Sequence, residues 1–205
     1  MKDTRFAQFV IFVNSAVPLG LLGWDAYNHR LGANPYEFAT RTTGVLTLVF
    51  LLLSLSVTPL RKALGLPWMI KFRRLLGLYA FFYGCVHLLT YVWFDKVFGF
   101  RLIGEDIVKR PFITVGMASL VLLVPLALTS TQKSVKRLGG KRWNLIHRLA
   151  YLSAIGGVIH YYMLVKADTR EPILFGVVVA VLLGYRVLNK YLPHMTERTP
   201  SRAQR

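Results

Sequence analysis

Apolar residues along this chain fall into six blocks parted by short polar stretches: residues 6–24, 43–57, 75–94, 112–130, 145–165 and 173–189. All but the second hold seventeen or more nearly uncharged residues, enough for a helix to cross about 30 Å of hydrocarbon. The second has fifteen, and Thr42, Thr58 and Pro59 at its edges fit the membrane interface. The pattern predicts an all-α polytopic membrane protein, a bundle of six transmembrane helices making one membrane domain over residues 1–205. Pro18 and Pro125 fall inside blocks, where kinks are expected because neighbouring helices can satisfy the freed carbonyls. Residues 191–205 read as a disordered tail.

Composition agrees with the pattern. Of 205 residues, 54% are hydrophobic, and the mean hydropathy of +0.45 is too high for a water-soluble chain of this length. The net charge of +17 suggests nucleic acid until its distribution is read. With Arg148 and Arg186, which lie inside blocks near this end, assigned to it, the N-terminus, residues 58–74 and 131–144, and everything after the sixth block hold 18 Lys/Arg and 2 acids. The opposite loops, 25–42, 95–111 and 166–172, hold 8 Lys/Arg and 7 acids. By the positive-inside rule the first side, with both termini, is cytoplasmic. The basic residues then meet anionic lipid, with no nucleic acid as partner.

Several chemistries drop out. The single cysteine, Cys85, excludes an internal disulfide and any CxxCH haem attachment, and reads as a small residue in a helix interior. The first block is longer than a signal-peptide core, lacks a small-x-small site after it, and reads as a retained helix. No internal repeat, low-complexity segment or soluble domain is evident. Loops of seven to eighteen residues cannot house a Rossmann fingerprint or a P-loop, and no G-x-G-x-x-G, G-x-x-x-x-G-K-[ST] or H-E-x-x-H occurs. KRLGGKRWN reads as a basic turn between helices. Any chemistry therefore resides among side chains inside the bundle.

Of five histidines, His29 lies in an outer loop and His194 in the tail, both solvated. His87 lies about thirteen residues into the third block, and His160 about fifteen into the fifth. Those two spans run in the same direction, so equal progress means equal depth, and the two imidazoles are expected nearly level. A buried imidazole must find a partner. One reading is a neutral ring hydrogen-bonded to a hydroxyl or carbonyl. The other is a planar haem gripped between both rings, as helical bundles allow. A proton relay would need carboxylates that the spans lack.

His147 sits at the cytoplasmic start of the fifth block, thirteen residues before His160. On one straight helix that is about 20 Å and about 140° of rotation, so both could face a common core only through a distortion. Gly156–Gly157 offers either a place for one or simple close packing. Opposite His147 the third block offers Arg73 and Arg74, which cannot ligate iron in the ordinary way. With Arg148 they could clamp haem propionates or a flavin phosphate, or only meet lipid headgroups.

RRLLGLYAFFYGCVHLLTY followed by KRWNLIHRLAYLSAIGGVIHYY resembles the ferric-reductase-like transmembrane domain, with its core over about residues 43–165. The likeness extends over essentially the whole chain and includes the W-x-x-x-H-R-x-x-Y run at Trp143, His147, Arg148 and Tyr151. Within that family it is similar to the haem-binding membrane subunits of bacterial methionine sulfoxide reductase systems. The resemblance implies a multi-pass protein of the bacterial inner membrane that transfers electrons, binds haem b and FMN, and performs no substrate catalysis itself. It implies electrons drawn from the quinone pool or a cytoplasmic flavin reductase. These would pass to a periplasmic MsrP-type molybdopterin reductase that repairs oxidised methionines. Larger relatives use two histidines on each of two helices for two stacked haems. Here one of the four positions is arginine, which fits one haem plus FMN better. His147 is then a weak ligand, a ligand paired with another residue, or a flavin neighbour. Two rivals stay open: a stand-alone membrane quinol or metal reductase, and a transporter or assembly factor whose histidines only hydrogen-bond.

Overall fold

A computed structural model describes residues 4–191, and every regular element among them is helical. The helices are α1 (Thr4–Tyr27), α2 (Pro35–Ala63), α3 (Ile70–Thr90), α4 (Phe100–Lys109), α5 (Pro111–Leu128), α6 (Gln132–Ile146), α7 (Leu149–Leu164) and α8 (Arg170–Tyr191). Of the tail expected over residues 191–205, all but Tyr191 lies outside the described residues, as does His194. The chain is an all-α membrane bundle. Among the described residues five segments are long and apolar enough to cross a membrane: α1, α2, Pro67–Phe94, α5 and α8.

The structure departs from the apolar pattern in four places. First, α2 has 29 residues where fifteen were expected, and it runs through Pro59. Proline has no N–H, so the Leu55 carbonyl four residues earlier loses its helical donor. Arg186 Nη2 of α8 donates to that carbonyl at 2.6 Å and replaces the missing bond. Second, the loop over 95–111 contains α4, held by Asp106, which accepts from Lys96 (2.7 Å) and from the Tyr91 hydroxyl (3.0 Å). The Lys96 bond is the chief cause holding the Asp106 carboxyl below its ordinary range, helped by Tyr91 and Arg110. Third, the expected turn at KRLGGKRWN lies within α6, which is broken at Gly139, where φ is 72°. Fourth, the fifth block is divided. Leu145 and Ile146 end α6, His147 caps it, and α7 is a separate 16-residue helix rising about 24 Å. Pro18 and Pro125 both lie inside helices, α1 and α5.

The closest helix pairings are α2 with α3 and α5 with α7, and α8 packs on α7 and α2. Fully buried Ala80 on α3 and Ala154 on α7 lie in the core formed where these helices approach. Around them pack Leu51, Leu55, Leu123 and Leu182, with Phe50 stacked on Tyr83 at 5.2 Å between ring centres. The Tyr79 and Tyr83 hydroxyls donate to Phe12 and Ser15 carbonyls of α1, each at 2.7 Å. These bonds tie α1 to α3, while Phe6, Phe9 and Leu21 of α1 face outward, as a lipid-contacting helix requires.

Candidate cofactor site

His87 projects from α3 and His160 from α7, and their ring centres lie 6.1 Å apart with planes at 76°. The structure thus brings these two imidazoles together between the two closest helix pairs. Each ring is held by the partner helix of its own pair. His87 Nδ1 lies 2.8 Å from the Thr40 carbonyl of α2, and His160 Nδ1 lies 2.6 Å from the Phe112 carbonyl of α5. A carbonyl has no proton to give, so Nδ1–H is the donor in both. A neutral ring then keeps its lone pair on Nε2. This is the tautomer that metal-ligating histidines adopt when a carbonyl orients them.

The same local arrangement occurs on both sides. Four residues after each accepting carbonyl comes a glycine, Gly44 after Thr40 and Gly116 after Phe112. A Cβ on Gly44 would stand 3.0 Å from His87 Nδ1, and one on Gly116 would stand 2.7 Å from His160 Nδ1. The rings therefore lie in notches that any side chain would fill. This recurrence of carbonyl, glycine and facing histidine is a structural repeat too sparse to register as sequence similarity. Within α7, Gly156 packs against Ser119 and Gly157 against Leu48, so the glycine pair serves close packing.

The remaining expected site residues lie elsewhere. His147 does not join the pair. It caps α6, stacks on Trp143 at 3.8 Å, and its Nε2 is 3.1 Å from the Thr129 hydroxyl. His147 and His160 occupy different helices, so the rotation expected for one straight helix does not arise. Arg73, in the first turn of α3, is half-buried and within electrostatic reach of His147, Tyr151 and Arg186. Arg74 and Arg148 are exposed.

Two protein ligands alone decide what kind of metal group suits the histidine pair. Among the described residues no group of three or more His, Cys, Asp or Glu could hold a bare ion. A metal bonded to both rings at about 2 Å would set their centres roughly 6 Å apart, as they are here. Such a metal must bring its other ligands with it, as a macrocycle does.

A family model described as "Ferric reductase like transmembrane component" matches residues 40–158, more than half of the chain. The chain belongs to this family. The matched segment of this ferric-reductase-like chain runs from Thr40, whose carbonyl holds His87, to within two residues of His160. Similar proteins are found in Herminiimonas arsenicoxydans (51% identical over 87% of this chain and 83% of the relative), Rhodospirillum rubrum (47%, over 98% and 97%) and Azospira oryzae (46%, over 95% and 85%). Each relative bears the name protein-methionine-sulfoxide reductase heme-binding subunit MsrQ. No solved structure matches this ferric-reductase-like chain.

Sequence reasoning missed Arg186. It lies inside the sixth apolar block and was counted with the basic residues at the edge of that block. A charge within an apolar run was itself the signal, because such a residue needs a named partner. Its guanidinium lies 4.8 Å over the Tyr151 ring, donates to the Tyr151 hydroxyl through Nη1 and to Leu55 through Nη2, and its buried Nε has no partner.

Proposed function

We propose that this chain is the electron-transferring membrane subunit of a methionine sulfoxide reductase system, with haem b between His87 and His160. The observation that carries the reading is the pair of facing imidazoles, each fixed through Nδ1–H by a carbonyl of the neighbouring helix. The family and the names of the relatives support both haem and a methionine sulfoxide reductase partner. When bound, haem b supplies a one-electron carrier. The Thr40 and Phe112 carbonyls fix the tautomer and aim Nε2, and the glycine notches admit the rings. The surrounding apolar helices exclude water.

Orientation and partners complete the proposal. The end of the bundle bearing Arg73, His147 and Arg186 faces the cytoplasm of a bacterial inner membrane, as the charge distribution supports. Electrons enter there from the quinone pool or a cytoplasmic flavin reductase, with FMN as a second cofactor. They leave at the opposite end to a periplasmic MsrP-type molybdopterin reductase, where the sulfoxide chemistry takes place. The test is the reduced-minus-oxidised spectrum of the purified chain. A sharp b-type α-band is expected, lost in His87→Ala and in His160→Ala. A chain that stays colourless after expression with ample haem removes the proposal.

A further inference from the structure

We propose that α8 is a staple that fixes the spacing of the two histidine-bearing hairpins, with Arg41, Tyr161 and Glu171 as positioning residues for the His87–His160 pair. Each ring is oriented inside its own hairpin, α2 with α3 or α5 with α7. Orientation alone does not set how far apart the rings stand, because that depends on how the hairpins meet. α8 packs on one helix of each, α2 and α7. It reaches both through one charged residue near either end. At the histidine level Glu171 accepts from Arg41 of α2 at 3.0 Å and from the Tyr161 hydroxyl of α7. Arg41 also donates to that hydroxyl at 3.4 Å, closing a triangle of three helices. At the other level Arg186 donates to the Leu55 carbonyl of α2 and to the Tyr151 hydroxyl of α7. Each jaw thus joins α2 to a tyrosine of α7.

The sequence of α8 places the two jaws for this task. Glu171 and Arg186 are fifteen residues apart, which is about 22 Å along the axis and about 60° around it, so both lie on one stripe. Phe175, Val179 and Leu182 fill that stripe and pack in the core, while Leu174, Val177 and Val181 face outward. Glu171 lies in the first turn, where the helix macrodipole favours a carboxylate. Pro172 beside it is fully buried and anchors that end of α8 in the bundle. The jaw stands close to what holds the rings. Arg41 follows Thr40, whose carbonyl orients His87, and Tyr161 follows His160. Arg41 and Glu171 are each more than half exposed, and an exposed ion pair by itself contributes little. The phenol is different. Tyr161 is only 5% exposed, so its hydroxyl depends on Glu171 as acceptor, and this charge-assisted bond fixes α7 to α8. α8 lies beyond residues 40–158, the segment that matches the family model. The staple stands on the bundle geometry, and its effect on a cofactor rests on the haem reading.

The test measures the spacing and the cofactor separately, on the purified full chain. Nitroxide labels at Leu89→Cys of α3 and Met163→Cys of α7, both exposed positions just after the histidines, report the spacing. The exposed native thiol is removed by Cys85→Ser. Haem transfer to apomyoglobin, with the g values of the ferric EPR signal, reports how the pair holds its group. One narrow label distance is expected with the staple intact. Glu171→Leu should lengthen or broaden it, shift the g values, and speed haem loss about tenfold, the low end of what orienting groups contribute. Glu171→Gln keeps an acceptor for Tyr161 and loses the charge, so its effects should be intermediate, and it carries the test if Glu171→Leu does not fold. Arg170→Leu, whose side chain is 93% exposed on the same turn, should behave as wild type. Unchanged label distances in both Glu171 variants overturn the staple, as does an equal response in Arg170→Leu. A changed distance with wild-type haem loss and g values overturns the positioning role. A wild-type chain that binds no haem, but whose label distance still responds to Glu171→Leu, would sink the haem reading and uphold the staple.

Discussion

At the level of His87 and His160 each polar ring has one carbonyl partner and one lone pair left over, whereas at the level of Arg73 and Arg186 buried donors outnumber the acceptors. Both levels lie in the same bundle and are crossed by the same helices. The difference is in what the sequence supplies. The histidine level has two helices that each present a carbonyl beside a glycine, so neutral imidazoles are oriented without any charge being buried. The arginine level has a proline-interrupted helix and, among the described residues, no acid, so one guanidinium repairs the backbone, shares the Tyr151 phenol and keeps one buried nitrogen without a partner. Orienting a neutral ring takes one carbonyl, whereas a buried guanidinium has five N–H donors to satisfy.

The largest effect that would break this contrast is at the glycine notches. In Gly116→Ala the new methyl would stand 2.7 Å from His160 Nδ1, so the ring must leave its carbonyl. Most of the b-type absorbance per chain should be lost, with about 1–3 kcal/mol of destabilisation from overpacking. Gly44→Ala, at 3.0 Å from His87, should act in the same direction and less strongly. Full wild-type absorbance in both variants would show that the notches do not orient the ligands.

A smaller effect concerns the backbone repair. Arg186→Met should lower stability by about 1–3 kcal/mol, leaving the Leu55 carbonyl bare. Adding Pro59→Ala should recover a large part of that loss, read as a positive coupling in a double-mutant cycle. Additive losses would mean that Arg186 does not serve that carbonyl.

His147→Phe keeps the ring against Trp143 and deletes the bond to Thr129, and should cost about 1 kcal/mol with the haem spectrum unchanged. If the absorbance per chain fell by half, His147 would be a ligand after all, and the two levels would be alike in kind. The mildest effect is at Asp106. Its carboxyl is depressed chiefly by Lys96, so its contribution to holding α4 is present above the ordinary carboxylate range. That contribution is lost as pH falls through the lowered folded value. Amide exchange in α4 should quicken on acidification, and Asp106→Asn should exchange quickly at every pH.

The histidine pair was legible because helices that start from the same face and run in the same direction keep residues level, and only His87 and His160 share a depth. The carbonyl–glycine notches were not, since Thr40/Gly44 and Phe112/Gly116 look like ordinary apolar sequence until the helices are placed. The division at His147 was hidden because Leu145 to Tyr151 has no breaker and remains largely apolar across the turn. Pro59 seemed to end the second block, yet the helix continues because Arg186, distant in sequence, supplies what proline withholds. The amphipathic α4 was hidden by its charges, Arg101, Glu105 and Lys109, which give a short helix the look of a loop.

Each imidazole takes its orientation from within its own hairpin, α2 with α3 or α5 with α7. Neither half needs the other to set its ring. The two hairpins can therefore enter the bilayer as finished pieces, and on the proposed haem reading their meeting would bring the two ligands together.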